Sequence, residues 1–361
     1  MKILARLAAV TFGIAFALLA LEAACKWIEW QQASARNRVT HRISRVSEIP
    51  GVRFELVPNV EAATPGQSQV IRINNHGLRG RDVTIEKPPG TFRIVVLGDS
   101  VALGRTIPEE ATFSGAVEIA LRKARPEASA EVLNASLSGR DTWEEAAVLR
   151  HRMLAFSPDL VVLQICLNDH VRLPQPAKNA PIGVFGDQDW WSYSSLLAML
   201  DRRFPSFRRA HVATIDRLGF RRSRERVILD NFIDPGQMLN VEAHWDDWTK
   251  ALLEIRDLSR SAGAEIVFLL FPIRQQAERK KAVTLPRLAA FLESESVPLV
   301  DLAPRFRGRP HLFYDDTHPT ADGHALAAVE LERWIRRRFA GVFGEAGARQ
   351  KTSAAASDIR S

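Results

Sequence analysis

Arg93-Ile94-Val95-Val96-Leu97-Gly98-Asp99-Ser100 is the stretch on which the fold turns. Four adjacent branched or leucyl side chains need apolar cover on both faces, as a strand inside a parallel sheet receives. The run stops at Gly98-Asp99, a turn composition, and leaves a serine just past the strand end. In open parallel sheets, ligands bind beyond the carboxyl ends of the strands. Ser100 therefore stands where chemistry is expected.

Four more apolar runs follow, at 131–135, 159–166, 264–271 and 298–302. Between and after them, helical patterns are predicted near 110–124, 142–156, 243–262, 283–295 and 321–338. Strands alternating with helices predict an α/β domain, a parallel five-stranded sheet with helices on both sides. Gly139 follows the second strand and Asn168 the third, while Asp315 and His318 follow the last. These segments converge on one edge of one sheet. The last reads Tyr314-Asp315-Asp316-Thr317-His318-Pro319, with Asp and His three residues apart. A serine hydroxyl needs a base, and the base needs an orienting acid. Each residue also has a plainer reading. Gly98-Asp99-Ser100 and Ser138-Gly139 are turn compositions, Asn168-Asp169 can cap a segment, and Thr317 or Thr320 can start a helix.

The chain has 361 residues, 46% hydrophobic and 25% charged, enough to bury a large core. Its net charge of +7 admits an anionic partner, but no nucleic-acid-binding motif is present. The two cysteines, Cys25 and Cys166, are not expected to pair. Neither a nucleotide-binding glycine fingerprint nor a metal-ligand cluster appears, so no cofactor and no metal are expected.

At the N-terminus Lys2 and Arg6 precede an apolar run from Leu7 to Cys25, followed by Trp27 and Trp30. Length, flanking charge and interfacial tryptophans fit an uncleaved signal-anchor over 1–30. A cleaved signal peptide and a lipoprotein site at Cys25 are the alternatives. Residues 31–91 read as a linker and a β-rich extension, and 92–342 as the main domain. An arginine-rich insertion at about 170–242 is either a solvated cap or a lid for an acidic or glycan ligand. Residues 343–361 are small and polar, and are expected to be disordered.

The segments resemble the SGNH hydrolase superfamily, the GDSL esterases and lipases. Gly98-Asp99-Ser100 matches its first block, Asn134-Ala135-Ser136-Leu137-Ser138-Gly139 its second, Cys166-Leu167-Asn168-Asp169 its third, and Asp315-Asp316-Thr317-His318 its fifth. The resemblance spans about 92–338, and Asn74-Asn75-His76-Gly77-Leu78-Arg79-Gly80 is similar to extensions of membrane-anchored envelope members. It implies a flavodoxin-like three-layer α/β/α sandwich and a serine hydrolase with Ser100 as nucleophile, His318 as base and Asp315 as acid. Ser100 and Gly139 backbone N–H groups and the Asn168 side chain would form the oxyanion hole.

Two departures stand out: Cys166 replaces the usual third-block glycine, and Asp316 beside Asp315 is a second candidate acid. Asp99 is read as structural, His170 as a pocket residue and His324 as helix surface. The expected function is hydrolysis of an O-acetyl or other acyl ester on a cell-envelope or extracellular carbohydrate. An O-acyltransferase using the same triad and a non-catalytic glycan-binding component are the alternatives. The expected partners are an acylated glycan and the membrane, not nucleic acid. The expected location is the outer face of the cytoplasmic membrane.

Overall fold

The computed structural model describes residues 2–63, 70–126, 129–166, 169–170, 196, 239–278, 286–315 and 317–343. The arginine-rich insertion, apart from 170, 196 and 239–242, and the C-terminal tail, apart from Phe343, lie outside them.

The chain begins with α1 (Lys2–Ile43), a single helix. Its segment Ala9–Ile28 is long and apolar enough to cross a membrane, with a mean hydropathy of 1.7. Phe12 and Leu19 stand exposed on it, and Glu22 is paired with Lys26 one turn on at 3.2 Å. The helix runs further than expected. Residues 31–43, read from sequence as polar linker, continue it. That stretch contains no proline or glycine, and extending an existing helix avoids the cost of nucleation.

The extension follows as two antiparallel hairpins, β1 (Ser44–Val46) with β2 (Phe54–Leu56), and β3 (Val60–Ala63) with β4 (Val70–Ile73). They share a small apolar core in which Ile43, Leu56, Ile71 and Ile73 meet Leu103 and Leu137 from the main domain.

The main domain is a parallel sheet of β5 (Thr91–Leu97), β6 (Ser129–Asn134), β7 (Leu160–Ile165), β8 (Glu265–Leu270) and β9 (Leu299–Asp301). Among the described residues the order is β6-β5-β7-β8-β9, all parallel. β5 and β7 are buried along their whole length, as the apolar runs Ile94–Leu97 and Leu160–Leu163 require. The exception in β5 is Arg93, fully buried with its Nη2 donating to Glu131 at 2.7 Å and its Nη1 to the carbonyls of Ile85 and Phe156.

Helices flank the sheet in a three-layer α/β/α sandwich. α2 (Ser100–Leu103), α3 (Phe113–Ala124) and α4 (Thr142–His151) come from the first half. α5 (Leu239–Ser261), α6 (Pro286–Ser294) and α7 (Ala321–Arg338) come from the second. α3 packs on α7, and α4 on α5. On α7 the buried stripe is His324, Ala327, Ala328, Leu331 and Ile335, at helical spacing. His324, read from sequence as helix surface, is thus a core residue. It lies on the stripe facing α3, and its Nδ1 accepts the Phe113 N–H at 3.1 Å.

Candidate active site

β5 ends at Leu97, and the chain turns through Gly98 and Asp99 into α2, whose first residue is Ser100. Asp99 is fully buried and caps α2, its side chain accepting from Val101 N at 2.8 Å. From the adjacent strand β7, the Gln164 side-chain oxygen accepts from Asp99 N at 3.1 Å and Ala102 N at 3.2 Å. No side chain fits at Gly98, because a Cβ there would lie 2.5 Å from that same oxygen. The serine turn is therefore gripped from beneath by one buried glutamine.

His318 comes from the loop before α7. Asp315 folds this loop: its Oδ1 accepts from Thr317 N at 2.8 Å and His318 N at 2.7 Å. Its Oδ2 faces His318 Nδ1 at 2.7 Å, and His318 Nε2 lies 2.8 Å from Ser100 Oγ. The ring of Tyr314 stacks on the imidazole, 12° from parallel. The structure thus joins Ser100 to the distant pair Asp315 and His318 in one hydrogen-bonded chain at the carboxyl edge of the sheet. Asp316 lies outside the described residues.

Electrostatics follow from this geometry. Burial alone would lower the His318 pKa. The hydrogen bond and charge of Asp315, with Asp99 behind, outweigh it and raise the pKa above its ordinary 6.5. Burial would raise Asp315, but its bonds to His318 and two backbone N–H groups hold it below the usual carboxylate range. Such an arrangement can move a proton from the serine hydroxyl onto the imidazole and hold the resulting imidazolium.

Gly139 sits in the turn after β6, in the left-handed region at φ 75°, where a side chain would be strained. The turn is tied to the serine turn by Leu137 N donating to Gly98 O at 3.2 Å. Leu167 and Asn168 lie outside the described residues, but Cys166 and Asp169 on either side do not. Asp169 Oδ2 accepts from Cys166 N at 2.7 Å, and Thr142 Oγ1 donates to Asp169 O at 3.2 Å. Cys166 is buried and is not in a disulfide. His170 is buried edge-on to Trp248. Behind the site, burial pushes the carboxyl groups of Glu145 and Asp169 well up, and their neighbouring carboxylates add to it. Among the described residues no group of three or more His, Cys, Asp or Glu has the geometry to hold a metal.

Sequence reasoning missed Gln164, although a polar residue in the buried run Leu160–Ile165 was a signal. It also missed how the extension reaches the site. Asn74 closes a tight loop, its side-chain oxygen accepting from His76 N and Leu78 N and its amide donating to Arg81 O. The loop sends the buried Arg79 inward, where its guanidinium donates to the carbonyls of Leu103 and Ile107 just past the Ser100 helix. Desolvation lowers the Arg79 pKa to about 10.

A serine, a histidine and a carboxylate joined in this order at the edge of a parallel sheet define the class of serine hydrolases. The chain belongs to the GDSL-like lipase/acylhydrolase family, whose profile matches residues 96–326. Among solved structures it is similar to an acetylxylan esterase from Geobacillus stearothermophilus, a catalytic mutant, at 18% identity. That match covers 68% of this chain and 94% of that one, with a TM-score of 0.40. It is also similar to a putative acylhydrolase from Bacteroides fragilis at 12% identity, covering 68% and 87%, with a TM-score of 0.36. A third likeness is a putative G-D-S-L family lipolytic protein from Desulfitobacterium hafniense, at 10% identity over 67% and 98%, with a TM-score of 0.38. No curated protein matches the sequence.

Proposed function

We propose that Ser100, His318 and Asp315 act as the catalytic triad of a carboxylic ester hydrolase. The observation that carries the reading is the Asp315–His318–Ser100 chain at 2.7 and 2.8 Å. His318 Nε2 takes the proton as Ser100 Oγ attacks the ester carbonyl. The oxyanion is held by the backbone N–H groups of Ser100 and Gly139 and by the Asn168 amide, each donor contributing about 3–4 kcal/mol in comparable sites. Collapse breaks the ester bond, and His318 returns its proton to the departing alcohol. Water, deprotonated by the same imidazole, then releases the acid and regenerates Ser100. Asp315 keeps the proton of the neutral ring on Nδ1 throughout.

The proposed substrate is a short acyl ester, O-acetyl first, on a carbohydrate of the cell envelope or outside it. Support comes from the span Ala9–Ile28, whose length and apolarity suit a membrane tether, and the proposal places the domain on the outer face of the cytoplasmic membrane. The test uses the full chain in detergent, with p-nitrophenyl acetate and an acetylated polysaccharide as substrates beside Ser100→Ala and His318→Ala. Acetate release lost in both variants supports the reading. Acetyl appearing on an added glycan instead of in solution identifies a transferase built on the same triad. Absence of both turnover and fluorophosphonate labelling at Ser100 overturns the proposal.

A further inference from the structure

We infer that Arg53, upstream of the family match, is a positioning residue for the Gly139 side of the site. This rests on the hydrolase reading above and concerns what holds its oxyanion donor in place. Gly139 sits where glycine is favoured because the chain is free there, and the same freedom lets its N–H swing away. A donor aimed at a developing charge must be fixed before the reaction begins. The turn's own hydrogen bonds, Leu137 N to Gly98 O and Arg140 N to Leu137 O, hold its first and last residues. They leave the Gly139 carbonyl to another partner, and that partner is Arg53.

The Arg53 Nη2 donates to Gly139 O at 2.5 Å and to Glu144 Oε2 at 2.6 Å. Its Nε and its backbone N–H both donate to Glu144 Oε1, at 3.0 and 2.6 Å. Glu144 is itself fixed, since it forms a capping box with Asp141 at the start of α4. The guanidinium therefore ties the Gly139 carbonyl to the first turn of α4, and so restrains, through their shared Cα, the preceding peptide unit that carries the Gly139 N–H. Both side chains are withdrawn from water, at 12% and 4% exposed. Arg53 is held in turn by the first hairpin, where Ser47 N donates to Arg53 O at 3.1 Å. A lysine has one ammonium and cannot fork across carboxylate and carbonyl in this way.

The experiment measures kcat and KM on p-nitrophenyl acetate for the full chain in detergent, comparing wild type, Arg53→Lys and Arg53→Ala. Inhibition by phenylboronic acid, which forms a tetrahedral adduct on the serine, reports the oxyanion donors directly. The expected result for Arg53→Lys is a kcat lowered about 10- to 100-fold, with KM within about twofold. Boronate affinity should fall in parallel while cooperative melting is kept. Arg53→Ala should behave alike, and if it fails to fold, Arg53→Lys decides, because it keeps the charge against Glu144. A kcat within twofold of wild type in folded Arg53→Lys, or unchanged boronate affinity, overturns the inference and leaves the hydrolase standing. Absence of Ser100-dependent turnover in the wild type overturns the hydrolase reading itself.

Discussion

Replacing Asp315 by Asn tests the geometry of the site most sharply, because the structure dictates how the new amide must sit. Oδ1 accepts two backbone N–H groups at 2.7 and 2.8 Å. Turning the amide nitrogen toward them would set donor against donor twice, costing about 1–3 kcal/mol for each lost acceptor. The carbonyl oxygen therefore stays on the backbone, and the NH2 group faces His318 Nδ1. The neutral ring then accepts at Nδ1 and carries its proton on Nε2, where it cannot receive one from Ser100. Regaining the productive tautomer costs what the amide flip costs, about 2–6 kcal/mol in total. A comparable substitution in another serine hydrolase lowers kcat about 10⁴-fold. We expect a loss of about 10³- to 10⁴-fold here, or about 4–5 kcal/mol of barrier, with KM little changed.

The pH profile adds a second signature of Asp315→Asn. In the wild type the His318 pKa lies above 6.5, so the neutral ring accumulates, and activity rises, above that pH. Without the carboxylate, burial dominates, and the acid limb of the residual activity should move below 6.5. Steady-state hydrolysis of p-nitrophenyl acetate from pH 5 to 9 measures both effects. A loss smaller than tenfold, or an acid limb that stays put, would refute the reasoning.

Three further outcomes are expected. His324 is held neutral by burial, with its pKa lowered from 6.5 to about 3. The unfolded chain therefore binds more protons below pH 6.5, and stability falls as pH drops from there toward 3, by about 2 kcal/mol at pH 5. Urea midpoints should show that His324→Asn, which retains an acceptor for Phe113 N, removes this dependence. Glu145 has the opposite sign, since its raised pKa favours the folded state at low pH and that advantage fades as pH rises. Glu145→Gln should therefore gain on the wild type more at pH 8 than at pH 5, and an equal difference at both would count against a protonated buried carboxyl. Gly98→Ala forces a Cβ to 2.5 Å from Gln164 Oε1 and 2.8 Å from Ala102 Cβ. It should cost about 1–3 kcal/mol in stability and slow fluorophosphonate labelling of Ser100, and unchanged labelling would mean the glutamine does not grip the turn.

The sheet was readable because its central strands are short apolar runs with one job, burial on both faces. The expected runs 93–97 and 159–166 became Thr91–Leu97 and Leu160–Ile165 with only their ends adjusted. Ser100, Asp315 and His318 were readable because each follows such a run. What sequence hid was partnership at long range. Arg53 finds Glu144 across 91 positions, and Arg79 reaches Ile107, and nothing local in an arginine tells which carboxylate or carbonyl it will meet. His324 was misread for a related reason. A histidine on a helix looks solvated until the stripe it shares with Ala327, Ala328, Leu331 and Ile335 is seen to face α3.

The end of α1 has one more consequence. Its last residue, Ile43, is buried in the same apolar cluster as Leu103 and Leu137, which flank the serine helix and the Gly139 turn. Strand β1 begins at the very next residue, with no hinge between. With Ala9–Ile28 in a bilayer, residues 29–43 extend about 22 Å beyond it as a stiff mast. A domain mounted this way has a set height and a set bearing. On the proposed tether, the acyl groups within its reach would be those standing at that height above the membrane, before any pocket has tested their shape.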